Sequence, residues 1–304
     1  MQLLYEGTDI LSYVSIDEAS ITDRSGGQAD GIEIRFNDPQ GIWSKWKPQK
    51  NHTLQIKQDG FDSGLMWIHE LEQTRGKFYV RAFSIPAEAR TDRVKAWENI
   101  RFLVLANEFS SKYGFTLETY GIENQLYKAL DQQYLTDFEF LAWRCMLEGY
   151  VLKLCDKKVI IYSQSYMESQ PAARTLSRED FDGDYKLKTT SDKIYGSCMV
   201  SYDGVKGNFS LGPGPILKIT GIQVFSQGEA ERYSKNILRD FNKKESSGFC
   251  TIAFDAGIAA GKCVQISDVG FADGKYFCEQ VTHTFGQNNK GKTGLKLRKV
   301  LEGY

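Results

Sequence analysis

Thr136-Asp-Phe-Glu-Phe-Leu-Ala-Trp-Arg-Cys-Met-Leu-Glu-Gly-Tyr150 is the stretch on which the reading of this chain turns. Thr136 and Glu139 stand three residues apart, the spacing of a capping box in which each side chain reaches back to a free amide of the first turn. Phe138, Phe140, Leu141, Ala142, Trp143, Cys145, Met146 and Leu147 leave the helix little polar face. Such a helix must be buried on several sides. Gly149 ends it. Tyr150–Leu154 and Lys158–Tyr162 then predict a hairpin around Asp156-Lys157. Far downstream, Gly274-Lys-Tyr-Phe-Cys-Glu-Gln-Val-Thr-His-Thr-Phe285 predicts a strand, followed by a Lys/Gly turn and a second strand through Thr293–Lys299.

Upstream of this helix, the first ninety residues read as β-structure. Gly31–Phe36 alternates, with Ile32, Ile34 and Phe36 on one face and Glu33 and Arg35 on the other. Thr53–Lys57 repeats the pattern, and Leu65–Leu71 and Lys77–Ile85 follow. The last run carries apolar residues on both faces, so it must be central or covered. From about Asp92 the period changes. Asn99 is placed to cap a helix through Ile100, Leu103, Val104 and Phe109, stopped at Gly114, with a short strand at Phe115–Leu117 after it.

Residues 163–182 are polar and irregular and read as a linker. Strands resume at Lys186–Lys188, Ser197–Tyr202 and Ile216–Phe225, interrupted by the rigid Gly212-Pro-Gly-Pro215 loop. Ser226 and Glu229 make a second capping box. Its helix carries Ala230, Tyr233, Ile237, Leu238 and Phe241 on one stripe. Strands at Phe249–Ala253, Cys263–Ser267, Lys275–Phe285 and Gly294–Leu301 close the chain. The expected organisation is therefore α+β and mainly β, in four parts. Residues 1–90 form a first β-barrel, and 91–165 an α+β domain around the buried helix 137–148. Residues 166–225 form a linker and β segment, and 226–304 a helix plus strands completing a second barrel.

Composition excludes several classes. The 304 residues are 41% hydrophobic and 25% charged, as in ordinary folded domains. A formal net charge of -1 supplies no global field toward nucleic acid or an anionic membrane. Residues 1–20 lack the pattern of a signal peptide, and no run approaches 18 apolar residues. The six cysteines are scattered without a C-x-x-C pair and read as buried reduced thiols.

No constellation points to catalysis. His52, His69 and His283 each lie in or beside a strand pattern, away from any second ligand at metal spacing. Asp180-Phe-Asp-Gly-Asp184 begins like a calcium loop, but Tyr185 and Ser191 occupy the positions that need Gly and Glu, which leaves a solvated acidic turn. Ser63 is not centred between Gly60 and Gly64 as a nucleophile elbow requires. The tail Gln287–Val300 holds Lys290, Lys292, Lys296, Arg298 and Lys299 without an acidic residue. It reads as a turn plus the solvent face of a strand, with Leu295 and Leu297 inward; contact with DNA or an acidic partner is the alternative. Trp43 and Trp46, in a polar segment without strand period, either plug a barrel end or anchor an interface.

The Thr136–Leu141 helix start, the Glu148-Gly149-Tyr150 exit, the amphipathic helix 227–246, the Gly261–Val264 and Asp273–Tyr276 turns and the Val281–Phe285 strand resemble, in this order, the late control protein D family. Its members are baseplate hub proteins of contractile phage tails and related injection machines. The resemblance spans most of the chain. It implies two tail-tube-like β-barrels joined by smaller α+β elements, and a homotrimer whose six barrels join a hexameric tail tube to a trimeric spike among other baseplate proteins. It implies a virion protein assembled in the host cytoplasm, with DNA crossing its channel without specific binding. No catalytic, cofactor or metal residue is implied. A cell-wall hydrolase of the same tail, a glycan- or receptor-binding component and a secretion-system hub homologue are the alternatives.

Overall fold

The computed structural model describes residues 1–286 and 289–304. The turn expected after Phe285 lies partly outside the described residues, at Gln287 and Asn288. The five α-helices described are α1 (Ile42–Trp46), α2 (Phe102–Lys112), α3 (Asp137–Leu147), α4 (Gln164–Ser169) and α5 (Gln227–Asn242).

Strands dominate. One hydrogen-bonded path runs from Lys186–Thr189 through Ser246–Ala253, Asn289–Lys299 and Gly274–Gly286. It continues through Ile16–Arg24, Gly31–Asn37, Lys77–Phe83, Met66–Thr74, Thr53–Gln58 and Gln2–Tyr5 to Thr8–Asp9. Both halves of the path use the 13-residue strand Gly274–Gly286. Its first part pairs Cys263–Ile266, with Cys263 opposite Phe277. Its second part pairs Ile16–Arg24, from Gln280 opposite Arg24 to Gly286 opposite Glu18. The change of partner falls at a register shift between Cys278 and Gln280. An extra residue there, Glu279, bends and twists the strand, and its carbonyl accepts from Ser25 N at 2.9 Å. The two β-units are thus joined directly by one shared strand.

Each unit has its own core. Leu3, Ile21, Ile32, Phe36, Ile56 and Ile68 fill the first, which Phe285 also enters. Leu176, Ile252, Val264, Val281, Leu295 and Leu297 fill the second. The middle core gathers α2, α3, the three-stranded sheet of Thr116–Tyr120, Lys158–Ser163 and Tyr150–Cys155, and a ribbon of Arg93–Arg101 with Leu126–Leu135. The capping box of α3 is present in both directions, at 3.2 and 2.9 Å. Asp156 and Lys157 both adopt positive φ, which gives the 150–163 hairpin the twist its strands need.

Several expectations change. Asn99 caps no helix: it lies within the strand Arg93–Arg101 at φ 51, and α2 starts at Phe102, because Trp97 and Ile100 are buried from that strand. Residues 163–182 are more than a linker, since α4 buries Gln164 and Glu168. The strand from Ile216 ends at Thr220. Finally, α5 does not pack with the C-terminal strands. It covers the sheet of Val205–Ser210, Ser197–Tyr202 and Ile216–Thr220 to make a fourth core with Leu147. Gly207 permits this approach: a Cβ there would come within 2.2 Å of Glu231 N. Phe241 leaves the expected stripe for solvent, while Ser234 and Asn242 turn inward, because both find backbone partners there.

Candidate functional site

The two tryptophans singled out by sequence occupy opposite environments. Gly41 and Lys47, both left-handed, bracket α1. Ile42 N and Trp43 N donate to the carboxylate of buried Asp38, at 2.6 and 3.3 Å. This short turn drives Trp43 into the first core, 1% exposed. Its ring stacks on Phe78 with centroids 5.4 Å apart and leans on Phe36 at 4.5 Å. Trp46 stays 42% exposed, edge-on to Trp43 at 5.6 Å and to Tyr13 at 6.4 Å. The segment therefore divides its tryptophans: Trp43 fills the core and Trp46 is exposed at the surface.

Buried polar clusters mark the seams between the cores. Glu168 of α4 accepts from Arg298 at 2.6 Å and from Arg239 of α5 at 2.6 Å, and Arg298 also donates to Gln164 Oε1 at 3.1 Å. Sequence reasoning put Arg298 on a solvent face; it is 1% exposed. It alternates away from Leu295 and Leu297. That opposite face is covered by α4, so the side chain enters a seam. No local pattern announces this, since its partner lies in a segment that reads as linker.

A second cluster joins α3 to α5. Glu148 accepts from Arg232 Nε at 2.6 Å and from Tyr127 OH at 2.9 Å. Arg144 lies over the Tyr127 ring at 4.5 Å and hydrogen-bonds Tyr233. The left-handed Gly149 fits against Asn236, whose Nδ2 donates to Leu147 O at 2.9 Å. In a third cluster, Lys153 pairs with Asp23 and lies 3.8 Å from Asp30, while Asp23 also accepts from Ala260 N at 2.8 Å. Burial pushes the Asp30 carboxyl up to about 7, against the pull of Lys153. These clusters can lock units together, since their polar groups pair with one another across the seams.

The remaining candidates are structural. His283 is buried against Phe61 and Phe254, with Nδ1 3.0 Å from Thr293 Oγ1, and burial depresses its pKa. His52 contacts Tyr5, and His69 contacts Arg90. Ser63 Oγ accepts from Ile56 N, inside the sheet edge. Asp180 is held by Ser177 and Arg174, and Asp182 pairs with Lys292 at 2.8 Å. Among the described residues no group of three or more His, Cys, Asp or Glu side chains could hold a metal ion. Burial pushes the Cys145 and Cys278 thiols up, away from reactivity. Among the described residues no helix is long and apolar enough to cross a membrane.

No protein-family model matches the sequence, and no curated protein does. Solved structures do. A 43 kDa tail protein of prophage MuSo2 from Shewanella oneidensis aligns over 98% of this chain and 98% of its own, with a TM-score of 0.76 at 11% identity. A tail protein from Neisseria meningitidis MC58 aligns over 98% and 95%, with a TM-score of 0.78 at 12% identity. The E. coli c3393 protein, described as a type VI secretion component similar to T4 tail proteins gp27 and gp5, aligns over 100% of this chain and 79% of its own, with a TM-score of 0.62 at 10% identity. The chain has the mainly-β fold of phage tail proteins.

Proposed function

We propose that this chain is a structural baseplate hub protein of a contractile phage tail or related injection machine. Three copies form a ring that connects the tail tube to the central spike. The observation that carries this reading is end-to-end agreement of fold with tail proteins at near-equal length, together with two β-units coupled through one strand. A chain with two β-units can give a trimer six quasi-equivalent positions, which matches a hexameric tube on one side and a trimeric spike on the other.

The seams suit a part that must carry force. Buried ion pairs and hydrogen-bonded clusters fix the four cores relative to one another, so the ring transmits force as one body. The near-neutral net charge suits a channel that DNA crosses without retention, since phosphate contacts would hold it. The chain acts without catalysis, in the virion tail, after assembly in the host cytoplasm.

Solution mass by light scattering, with negative-stain imaging of the same fraction, tests the reading. An open trimeric ring, alone or on co-expression with the neighbouring tail genes, is the expected result. A monomer under both conditions would refute it. The likeness to the type VI component favours a secretion-system hub as the second reading. Its test is whether the adjoining genes encode tail-assembly or secretion components.

A further inference from the structure

We propose that the Trp46 end of the first β-unit docks a carboxylate-rich surface of another protein. The inference rests on the preceding reading only in taking that partner to belong to the same particle. Residues 39–58 contain Lys45, Lys47, Lys50 and Lys57 and no Asp or Glu, in a chain whose formal net charge is -1. Lys57 is neutralised by Asp62 at 3.2 Å. Lys45, Lys47 and Lys50 are exposed and make no ion pair among the described residues. Glu70, which lines a concavity together with Lys50, is already paired with Arg81 at 2.8 Å.

Lys45 and Lys47 flank Trp46 in the chain, and Trp46 belongs to an exposed aromatic pair. Tyr13 is 65% exposed and meets Trp46 edge-on. The pair is held before any partner arrives: Trp43 is locked into the core beneath it, and Asp38 fixes the turn that carries both tryptophans. An exposed aromatic centre that needs no ordering, with unpaired lysines next to it in the chain, has the anatomy of a protein interface. Two residues on from Trp46, Pro48 joins Lys50, His69, Glu70 and Leu71 in lining a concavity of about 630 Å³ that can receive a partner side chain. Nucleic acid fits less well. Tyr13, Trp46 and Trp43 contact one another edge-on instead of offering parallel faces for bases, and three lysines release few counterions.

The test replaces Trp46, and in a second variant Tyr13, with a photo-crosslinking phenylalanine analogue. The chain is expressed with the whole gene cluster that encodes it. Adducts are read by mass spectrometry in cells and in purified particles. The expected result is an adduct to an Asp/Glu-rich peptide of a different protein from both positions, none to that peptide from exposed Phe271, and an about tenfold lower yield when Lys45, Lys47 and Lys50 are all changed to Glu. Adducts to DNA or to a second copy of this chain, an unchanged yield after charge reversal, or no adduct from either position would overturn the proposal. Absence of the chain from purified particles would instead overturn the hub reading, and the adducts read in cells keep the two failures separate.

Discussion

Arg298 and Glu168 meet at 2.6 Å although 130 residues separate them, and both side chains are shut away from water. Glu168 holds Arg239 with its other oxygen. One carboxylate therefore ties α4, α5 and the strand Asn289–Lys299, and with them the second and fourth cores. Changing Glu168→Ala strands two guanidinium groups without their shared counter-charge. The expected loss is about 3–5 kcal/mol in urea unfolding. A loss below about 1 kcal/mol would mean that the cluster is not a structural tie. Arg298→Lys should also lose stability, because one ammonium cannot replace Nη2 on Gln164 and Glu168 and, at the same time, Nε facing Glu279 at 3.7 Å.

The two tryptophans should separate cleanly. Trp43→Ala removes the largest fully buried side chain of the first core, at an expected cost of about 3–5 kcal/mol. Trp46→Ala should change stability by about 0.5 kcal/mol or less while weakening assembly. Thermal melts of the isolated variants, run beside an assembly assay, check both. Equal destabilisation by the two substitutions would remove Trp46 from consideration as a surface contact.

Asp30 sets a pH dependence of unusual sign for a carboxylate. Burial raises its folded pKa to about 7 from an ordinary 3.8, against Lys153 and with Asp23 beside it. The folded state thus holds a proton that the unfolded state has released. Its contribution to stability is complete below about 4 and is lost as pH rises through about 7. Asp137 and Asp62, whose folded pKa values are lowered, act in the opposite direction. The measurement is therefore the difference between wild type and Asp30→Asn across pH 4–8. The Asn variant should gain relative stability as pH rises, and a flat difference would refute the assignment.

The thiols should be silent in the folded protein. Burial pushes Cys155, Cys198 and Cys263 up to about 11 and Cys250 up to about 12. An aromatic disulfide reagent at neutral pH should titrate none of the six within minutes, and all of them in guanidinium. Rapid reaction of one thiol in the native state would show a local opening that the packing does not suggest.

Thr136→Ala tests the element that sequence identified most directly. It removes the acceptor for Glu139 N at 3.2 Å and should cost about 1 kcal/mol. Thr136→Ser should retain most of the stability, since the hydroxyl is what caps.

The features legible in sequence were those set within a few residues. The capping box of α3, the left-handed turn at Asp156-Lys157 and the alternation of Gly31–Phe36 depend on neighbours at most four positions away, so sequence alone determined them. Ser226 shows where this reach ends. It caps α5 by accepting from Glu229 N, but Glu229 reaches back to Phe225 N instead of to Ser226. Sequence also offered two roles for Trp43 and Trp46, and only the tertiary structure could divide them between core and surface. The same holds for the polar run that became α4, for Arg298 turning into a seam, and for α5 leaving the C-terminal strands for the 197–220 sheet. Each outcome depends on what covers a surface, and the covering segment comes from far along the chain. The partner switch at Glu279 is the clearest case. A strand pattern specifies which side chains share a face, but the strand that pairs with each half is chosen by the packing of two separate cores.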